Sequence, residues 1–496
     1  MFERILIANR GEIAVRIIRA CRELGIAAVA VYSDADAQAP HTRIADRAVR
    51  IGPAPAADSY LSTDAIIEAA RHTACDAIHP GYGFLSENDA FAARCADAGL
   101  TFIGPPPEAM TSMGSKVAAR EMAQGAGVPV VPGETPTDQR DESIAAAARR
   151  VGFPLLLKPS EGGGGIGMKV VREDSELVGA IQQARREAAA AFGDGRLYVE
   201  RLVDHPRHVE IQIFADSQGE VVHLFERECS IQRRHQKIIE ETPSPAVTPA
   251  LRASMGDAAV SIARAAGYRN AGTVEFLVDG RGDTARFYFL EMNTRLQVEH
   301  PITEQVVGVD LVHAQIAVAA GRALPWRQEN LSQRGHAIEA RIYAEDAAHG
   351  DLPQAGPLLL YREPRMPGIR VDSGVVEGGT ISVHYDPMIA KVIATAESRE
   401  QARRRLLAAL RQFPILGVRT NVAFLINILE HSRFQAGDID TGFLDREGGN
   451  VWPQSPGDTP PGVEALAAAV RTSAPPVAAT AAPVHDPWIS LRGVRV

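Results

Sequence analysis

The 496-residue sequence has little of several features that mark particular classes of protein. Its four cysteines, Cys21, Cys75, Cys95 and Cys229, are widely spaced, so we expect neither a disulfide framework nor a cysteine zinc site. It has no run of about 18 apolar residues, which argues against a membrane-spanning helix. Its formal net charge is −9, whereas a nucleic-acid-binding protein needs a basic face. We therefore expect neither membrane nor nucleic-acid partners.

The N-terminus lacks the basic start and apolar middle of a signal peptide. Together with the scattered cysteines, this favours a reducing, cytoplasmic location. The remaining composition, 45% hydrophobic and 23% charged, is ordinary for a globular protein. At about 100–200 residues per domain, the length predicts two to four domains.

The chain begins with a strand–helix–strand pattern. "ILIA" and "IAAVAVY" are short apolar runs, and "EIAVRIIRACREL" between them carries apolar residues at 13, 17, 20 and 24. This pattern predicts a βαβ unit and a parallel sheet. The turn "ANRGEIA" has one glycine where the dinucleotide fingerprint needs three, so NAD binding is not expected. Gly81 and Gly83 in "HPGYGFLSEN" predict a tight turn.

The rest of the chain consists of segments that differ in amino-acid composition. A Pro/Gly-rich break at 127–138 precedes a compact α/β segment at about 130–203, and strand-rich sequence follows. Helices are expected around 303–320 and 398–411. Residues 453–484 are rich in Pro, Ala, Ser and Thr, which is typical of a linker. The last residues, "HDPWISLRGVRV", resemble the start of a further module.

The stretch "KPSEGGGGIGM", residues 158–168, carries four consecutive glycines between two apolar strands. Glycine lets a backbone approach a ligand closely, and successive N–H groups can surround phosphate oxygens. Lys158 adds a positive charge at the start of the loop. The stretch therefore predicts phosphate binding, with a flexible solvent loop as the alternative.

A carboxylate pair follows from strand alternation. A hairpin centred on Asp283 places Glu275 directly opposite Glu291, with Asn293 on the same face as Glu291 and Leu290 on the other. Like charges that face each other across strands are destabilising unless a cation lies between them. Oxygen ligands near phosphates indicate Mg²⁺. The alternative is two solvated glutamates.

Two further segments concentrate polar groups. Residues 226–241, "ERECSIQRRHQKIIEE", crowd cations into an acidic protein, although such a run is also typical of a solvated face. In "NTRLQVEHP", residues 293–301, an extended backbone would place Arg295, Gln297 and Glu299 on one side. A cation, an amide and a carboxylate together suit a small oxyanion and a base.

With these motifs in place, the sequence closely resembles biotin carboxylase of the ATP-grasp superfamily. The matching motifs follow one another between Met1 and Leu444: "ANRGEIAVRIIRA", "HPGYGFLSEN", "MGSK", "GGGG", "PRHVEIQ", "QRRHQK", "EMNTRLQVEHPITE", "EARIYAED" and "YDPMIAK". The resemblance implies an α/β ATP-grasp fold, α+β towards the C-terminus. It implies a Rossmann-like N-terminal domain at 1–115, an ATP-grasp region at 116–330 with a lid at about 130–203, a C-terminal domain at 331–445, and a linker with a stub at 446–496.

The resemblance also implies roles for individual residues. The nucleotide and its phosphates would be held by Lys116, Lys158, Gly164, Gly165, Glu200, Arg201, Leu202, Val203, His208, Gln232 and His235. The metal ligands would be Glu275, Glu291 and Asn293, in agreement with the hairpin argument. The bicarbonate and biotin pocket would comprise Lys237, Arg295, Gln297, Val298 and Arg341, with Glu299 as the general base and Arg341 stabilising the biotin enolate.

The implied reaction uses ATP, Mg²⁺ or Mn²⁺, and bicarbonate to carboxylate biotin through carboxyphosphate. Because no A-M-K-M biotin-attachment motif is present, biotin is expected on a carrier protein or domain elsewhere. A carboxyltransferase is the second expected partner, and a homodimer is the expected assembly. The tail resembles the junction to later domains of an acyl-CoA carboxylase α subunit, which predicts a truncated or a short-form subunit.

Two departures from the family pattern lie in the glycine loop. Ile166 stands where a basic residue is usual, and Glu161 where glycine or alanine is commoner, which puts the affinity of the lid for phosphate in doubt. Two other functions remain as alternatives. One is a different ATP-grasp ligase, such as a carbamoyl-phosphate or purine-pathway enzyme, and the other is a catalytically silent assembly subunit.

Overall fold

The N-terminal part of the chain contains the predicted βαβ unit within a five-stranded parallel sheet of order β3-β2-β1-β4-β5. The computed structural model describes residues 1–160, 167–234 and 236–453. The bounds here are β1 Arg4–Ile7, α1 Gly11–Glu23, β2 Ala27–Ser33, α2 Pro40–Ile44, β3 Arg47–Gly52, α3 Thr63–His72, β4 Ala77–His79, α4 Asp89–Asp97, β5 Thr101–Phe102, α5 Pro107–Gly114 and α6 Lys116–Gly125.

Helix α1 forms where the apolar period predicted it. Ile13, Ile17 and Ala20 are fully or almost fully buried along one face, and they pack against the strands of the sheet. Gly11 begins the helix at φ +67°, a conformation that side-chain-bearing residues rarely adopt. The apolar stripe thus fixes the helix against the sheet and places its first turn at the carboxyl end of β1.

The next segment is a four-stranded antiparallel sheet of order β6-β9-β7-β8. Its elements are β6 Gly133–Glu134, α7 Asp141–Val151, β7 Leu155–Pro159, β8 Lys169–Val171, α8 Leu177–Phe192 and β9 Leu197–Arg201. Strands β7 and β8 pair antiparallel, so the prediction that the glycine stretch connects two such strands is confirmed. Residues 161–166, including Gly164, Gly165, Glu161 and Ile166, lie outside the described residues.

An eight-stranded antiparallel sheet of order β14-β13-β10-β11-β12-β15-β22-β20 forms the centre of the fold. Its strands are β10 Arg207–Ala215, β11 Val221–Arg233, β12 Gln236–Thr242, β13 Asn270–Asp279, β14 Arg286–Asn293, β15 His336–Tyr343, β20 Ile369–Ser373 and β22 Met388–Ala396. The predicted domain boundary at 330/331 falls between two of these strands. One continuous sheet therefore links the predicted ATP-grasp and C-terminal regions.

Helices and short strands cover this sheet. The helices are α9 Pro249–Ala265, α10 His300–Val307, α11 Leu311–Ala319, α12 Arg399–Arg411, α13 Val422–Glu430, α14 Ser432–Gln435 and α15 Phe443–Val451. The short strands are β16 Glu345–Asp346, β17 Leu352–Pro353, β18 Gly356–Pro357, β19 Leu360–Tyr361, β21 Thr380–Ile381 and β23 Ile415–Leu416. The helices expected near 303–320 and 398–411 are α10, α11 and α12. Gly308, at φ +76°, ends α10, and the Asp310 side chain caps α11.

The β13–β14 hairpin has the predicted centre but not the predicted regularity. Its tip is a short 3₁₀ turn at Gly282–Thr284, and Glu275 lies opposite Glu291. A bulge then follows, since Phe276 pairs with Phe289 and leaves Leu290 as the extra residue. Leu290 consequently lines the same cavity as Glu291, so its predicted place on the opposite face is wrong.

In the described part of the chain, no helix has the length and apolar character to cross a membrane.

Candidate active site

A cavity of about 320 Å³ lies over the β10–β14 end of the central sheet and collects most of the predicted site residues. Its lining comprises Lys116, Lys158, Met168, Tyr198, His208, Gln232, Gln236, Lys237, Glu275, Leu290, Glu291, Asn293, Arg295, Gln297, Val298, Glu299 and Arg341. A second cavity of about 530 Å³ shares Gln236, Arg295, Val298 and Arg341 with the first. The N-terminal part of the chain contributes residues 9–13 and 82–84 to the second cavity, from α1 and from loops that follow strands of the parallel sheet. The two cavities meet at the shared residues.

Three glutamates form a row across neighbouring strands. Glu210 in β10 lies directly opposite Glu275 in β13, which lies opposite Glu291 in β14. On the other side of β10, Arg227 lies opposite Glu210 and donates from Nε to its carboxylate at 2.5 Å. Such a row of like charges is unfavourable unless cations accompany it. The site therefore requires positive charge, and the structure supplies it from β11 and β12.

Lys237 is the main source of that charge. Its ammonium lies 2.5 Å from Glu210 Oε2, 2.9 Å from Glu275 Oε1 and 2.7 Å from Glu299 Oε1, and it donates to Gln297 Oε1 at 3.1 Å. Burial alone would lower the pKa of Lys237, but the three carboxylates raise it well above its ordinary value. Lys237 is therefore a permanent cation at the centre of the site.

Glu299, the predicted general base, is held between two cations. Its Oε1 contacts Lys237, and its Oε2 accepts a hydrogen bond from Arg341 Nη2 at 3.0 Å. Burial would raise the pKa of this carboxyl, yet Lys237 and Arg341 lower it well below its usual range. Arg341 also contacts Glu240. Glu299 is thus fully ionised and able to accept a proton.

Arg295 lies where the two cavities meet and is oriented by two acceptors. Its Nε donates to Glu87 Oε2 at 2.8 Å, and its Nη2 donates to Asn293 Oδ1 at 3.0 Å. Glu87 belongs to the "HPGYGFLSEN" stretch, and it also accepts the Thr294 backbone N–H at 3.1 Å. The segment predicted to present Arg295, Gln297 and Glu299 together does place all three at the cavity.

His208 and Gln232 form the wall beside the carboxylate row. His208 Nε2 lies 3.0 Å from Glu275 Oε2, and its Nδ1 is 2.9 Å from Gln232 Nε2. Burial alone would lower the pKa of His208, but the Glu275 carboxylate overrides burial and raises it. Hydrogen bonding to Gln232 Nε2 requires an acceptor at Nδ1, so the Nε2 atom carries the proton towards Glu275.

The residues predicted to bind a metal are suited to a hard cation. Glu275 and Glu291 present carboxylates from paired positions, and Asn293 Nδ2 donates to Glu275 Oε1 at 2.8 Å. Burial raises the pKa of Glu291, and the charge of Glu275 raises it further. A divalent cation between these oxygens would relieve that repulsion, and carboxylate and amide oxygens are the ligands Mg²⁺ prefers. The donor set therefore fits Mg²⁺ or Mn²⁺.

The predicted nucleotide residues are only partly brought together. Lys116 and Lys158 line the cavity, and Lys158 Nζ lies 2.5 Å from Glu200 Oε2. Glu200 also accepts from Arg120 at 2.6 Å. The residues from Glu200 to Val203 end β9 and follow it, and within the described chain they are not among the cavity-lining residues. Their contact with adenine stays a prediction, and His235 lies outside the described residues.

The sequence analysis assigned no individual role to three residues of the site. Glu210 and Arg227 are completely buried and couple the carboxylate row to Thr303 of α10, since Arg227 Nη1 donates to Thr303 Oγ1 at 3.0 Å. Strand alternation in "HVEIQIFAD" could have marked Glu210 as facing Glu275. For Arg227, in the run 226–241, the sequence left a functional role and a solvated face open, and its complete burial excludes the solvated face. Glu87 lies in the "HPGYGFLSEN" stretch, but its partner Arg295 lies 208 positions away, so no local pattern indicates their contact.

Comparison with protein families covers nearly the whole described chain. Residues 1–110 match the family described as "Biotin carboxylase, N-terminal domain". Residues 115–327 match "Carbamoyl-phosphate synthase L chain, ATP binding domain", and residues 339–446 match "Biotin carboxylase C-terminal domain". The parallel N-terminal sheet, the antiparallel sheets and the lysine-lined cavity thus define an ATP-grasp protein.

Comparison with individual proteins supports the same family. The chain is 51% identical over 444 residues to a biotin carboxylase of Halalkalibacterium halodurans, covering 90% of this chain and 97% of that protein. It is 54% identical over 445 residues to the mitochondrial methylcrotonoyl-CoA carboxylase subunit alpha of Oryza sativa subsp. japonica, covering 90% of this chain but only 60% of that subunit. The chain thus spans about three-fifths of the length of that relative.

A solved structure extends the comparison to three dimensions. The biotin carboxylase domain dimer of Hydrogenobacter thermophilus 2-oxoglutarate carboxylase, in complex with MgADP, ADP and bicarbonate, superimposes with a TM-score of 0.87 at 43% identity. The match covers 92% of this chain and all of that one. The chain belongs to the biotin carboxylase family.

Proposed function

We propose that this chain catalyses the ATP-dependent carboxylation of biotin by bicarbonate, giving ADP, phosphate and N-carboxybiotin. The observation that carries the proposal is the position of Lys237, whose ammonium contacts Gln297 and Glu299 beside the carboxylate row. Arg295 and Arg341 add two guanidinium groups at the same cavity. A small anion would find converging cations and an ionised base within a few ångströms of a metal-binding carboxylate pair.

The base and the anion-binding groups are adjacent. Bicarbonate bound by Lys237, Arg295 and Gln297 would present its O–H to the ionised Glu299 carboxylate. An anion bound to Lys237 weakens the interaction of Lys237 with Glu299. The Glu299 carboxylate is then less stabilised as an anion and becomes a stronger base when proton transfer is needed. The bicarbonate oxygen then attacks the γ-phosphorus of ATP, the bond from that phosphorus to the bridging oxygen breaks, and ADP leaves. The carboxyphosphate formed breaks into CO₂ and phosphate.

The second part of the reaction transfers CO₂ to biotin. Phosphate takes the proton from the ureido nitrogen, and the nitrogen attacks the carbon of CO₂. Arg341 would donate to the ureido oxygen as negative charge develops there, because a preorganised cation stabilises such charge most effectively in a cavity that excludes water. Arg341 is shared by both cavities, so the larger one can admit biotin while the smaller one holds bicarbonate and the terminal phosphates of ATP.

The phosphate side of the site is supported by Lys116 and Lys158, which line the same cavity. Mg²⁺ or Mn²⁺ held by Glu275, Glu291 and Asn293 would neutralise phosphate charge and align the terminal phosphoryl group. We assign the nucleotide contacts to Lys116, Lys158, Gly164, Gly165, His208, Gln232, His235 and the hinge from Glu200 to Val203.

We propose that biotin arrives on a carrier protein or domain and that a carboxyltransferase uses the product. The α-subunit relative, which is longer than this chain, supports an acyl-CoA carboxylase as the complete system. The H. thermophilus dimer supports a homodimer. The four buried free thiols among the described residues support a reducing, cytoplasmic location. We retain the predicted domain division at 115, 330 and 445.

ATP hydrolysis measured with and without bicarbonate and free biotin tests the proposal. We expect hydrolysis to require bicarbonate and to rise when biotin is added. Phosphorylation of another acid, without a response to biotin, would instead indicate a different ATP-grasp ligase. Nucleotide binding without bicarbonate-dependent turnover would indicate a silent assembly subunit.

A further inference from the structure

A second buried lysine lies directly behind the anion-binding segment Gln297–Glu299. Lys391 of β22 is completely buried, and its Nζ donates to the backbone carbonyl of Val298 at 2.7 Å. Lys391 lies directly opposite Arg341 of β15 in the sheet register. Two neighbouring cations therefore hold successive residues, with Lys391 binding the main chain of Val298 and Arg341 binding the side chain of Glu299.

The charge of Lys391 is balanced by residues from distant parts of the chain. Glu12, near the start of α1, places Oε1 3.1 Å from Lys391 Nζ, and Asp372 of β20 places Oδ2 4.0 Å away. Asp372 is also the register partner of Lys391 in the sheet. Burying an ammonium is costly unless such partners are present. Residues of α1, β20 and β22 therefore act together to hold the Val298 carbonyl group.

His300 holds the preceding carbonyl of the same segment. Its Nδ1 lies 2.8 Å from the Gln297 backbone oxygen, and since a carbonyl only accepts, Nδ1 carries the proton. His300 is completely buried, and burial together with nearby cations lowers its pKa well below the ordinary value. A neutral imidazole and a charged ammonium thus fix two consecutive carbonyls.

Peptide geometry carries this restraint to the cavity. In a planar trans peptide, the C=O of one residue and the N–H of the next point in opposite directions. Fixing the carbonyls of Gln297 and Val298 therefore fixes the directions of the Val298 and Glu299 N–H groups. The same contacts set where the Glu299 side chain leaves the backbone. The position of the base and of its neighbouring amides depends on groups that do not line the smaller cavity.

We propose that Lys391 is a positioning residue that holds the segment Gln297–Glu299 in its anion-binding conformation through the Val298 carbonyl. The inference rests on the proposed function, since it concerns how the same site binds bicarbonate. Lys391 itself does not touch bicarbonate in this account. Its loss should therefore affect bicarbonate more than ATP, because the lysines proposed to bind phosphate belong to other elements, Lys116 to α6 and Lys158 to β7.

The test compares two variants with the wild-type chain. Lys391→Met removes the donor but leaves Glu12 buried beside an uncharged residue, so the double variant Lys391→Met with Glu12→Gln removes both charges together. Bicarbonate-dependent ATP hydrolysis without biotin, with thermal melting, is measured for each. We expect the KM for bicarbonate to rise about tenfold or more, with the KM for ATP changed by less than about twofold.

Arg403→Met supplies the matched control. Arg403 is also a buried cation that donates to a backbone carbonyl, that of Leu429 at 2.9 Å, but it lies on α12 away from both cavities. We expect it to lower the melting temperature while leaving both KM values unchanged. A purely structural Lys391 would behave in the same way.

The remaining outcomes distinguish failure of the proposed function from failure of the positioning role of Lys391. If wild-type hydrolysis does not respond to bicarbonate, the proposed function itself is wrong. If it responds normally but folded Lys391 variants keep the wild-type KM for bicarbonate, only the positioning role is overturned. If both Lys391 variants fail to fold while Arg403→Met folds, Lys391 serves the fold, and the positioning role is again overturned.

Discussion

Lys237 Nζ lies 2.7 Å from Glu299 Oε1, and the same ammonium contacts two more carboxylates, those of Glu210 and Glu275. One cation thereby joins the proposed metal-binding side of the cavity to the proposed base. Substrate anions that approach Lys237 alter the charge felt by both sides. This connection explains why the metal and anion sites are expected to act together.

The first prediction concerns the base. Glu299→Gln keeps the size of the side chain but replaces one carboxylate oxygen with an NH₂ group, which cannot accept a hydrogen bond. The variant therefore loses the contact with either Lys237 or Arg341, together with its proton-accepting ability. Bicarbonate-dependent ATP hydrolysis should fall by about 10³-fold, within the range for loss of a general base. Thermal melting should show a folded protein, and Glu329→Gln at an exposed position should retain full activity. Activity of Glu299→Gln within a few-fold of wild type would assign the base elsewhere.

The second prediction concerns the metal. Glu291→Gln removes one carboxylate of the facing pair, so the Mg²⁺ concentration needed for half-maximal hydrolysis should rise by more than about tenfold. Repulsion with Glu275 would be relieved, so stability without metal should not fall. Titrating activity with Mg²⁺ measures the shift. Glu220→Gln, at an exposed position outside the cavity, should leave the titration unchanged, and an identical titration for Glu291→Gln would contradict the ligand assignment.

The third prediction concerns Glu87, which orients Arg295 from the N-terminal part of the chain. Glu87→Gln weakens that contact without removing a cavity-lining group. Because the pair is partly exposed, the expected rise in the KM for bicarbonate is about three- to tenfold, with the KM for ATP unchanged. Steady-state kinetics at varied bicarbonate provides the measurement. Glu68→Gln, on the exposed face of α3, is the control, and equal kinetics for the two variants would show that Glu87 does not position Arg295.

The fourth prediction concerns stability at mildly acidic pH. Burial lowers the pKa of His41 from 6.5 to about 4, even though Asp36 opposes this shift. Between these values the unfolded chain binds a proton that the folded chain excludes, so stability falls as the pH falls. At pH 5 the His41 contribution is a loss of about 2 kcal/mol.

Replacing His41 with Gln should therefore weaken the fall in melting temperature between pH 7 and pH 5. The exposed His72 on α3 provides the control, since His72→Gln should leave the pH dependence unchanged. Parallel pH profiles for wild type and His41→Gln would show that this histidine is already protonated in the folded state.

Local patterns were sufficient to predict several parts of this structure. Alternation with a period of two residues placed Glu275 and Glu291 opposite each other, because register in a hairpin follows from its turn. The apolar stripe of α1 and the strands around the glycine stretch follow from equally local rules. These features depend on residues that are close in sequence, so they can be predicted without a structure.

Other parts depend on contacts between distant residues. The bulge at Leu290 breaks the alternation and turns this side chain to the cavity, and a one-residue insertion of this kind has no signal in the hydrophobic pattern. The sequence left open whether the run that contains Arg227 is solvated or functional. Arg227 is completely buried, and Glu210 of the neighbouring strand accepts its hydrogen bond. Lys391 and Val298 are 93 positions apart, so no sequence period connects them.

The most direct test of the account follows oxygen from bicarbonate. Attack on ATP forms a bond between a bicarbonate oxygen and phosphorus, and breakdown of carboxyphosphate breaks the bond from that oxygen to carbon. With ¹⁸O-labelled bicarbonate and brief incubation, the phosphate released with ADP should carry one labelled oxygen. Phosphate that takes its new oxygen from water instead would contradict bicarbonate activation at this site.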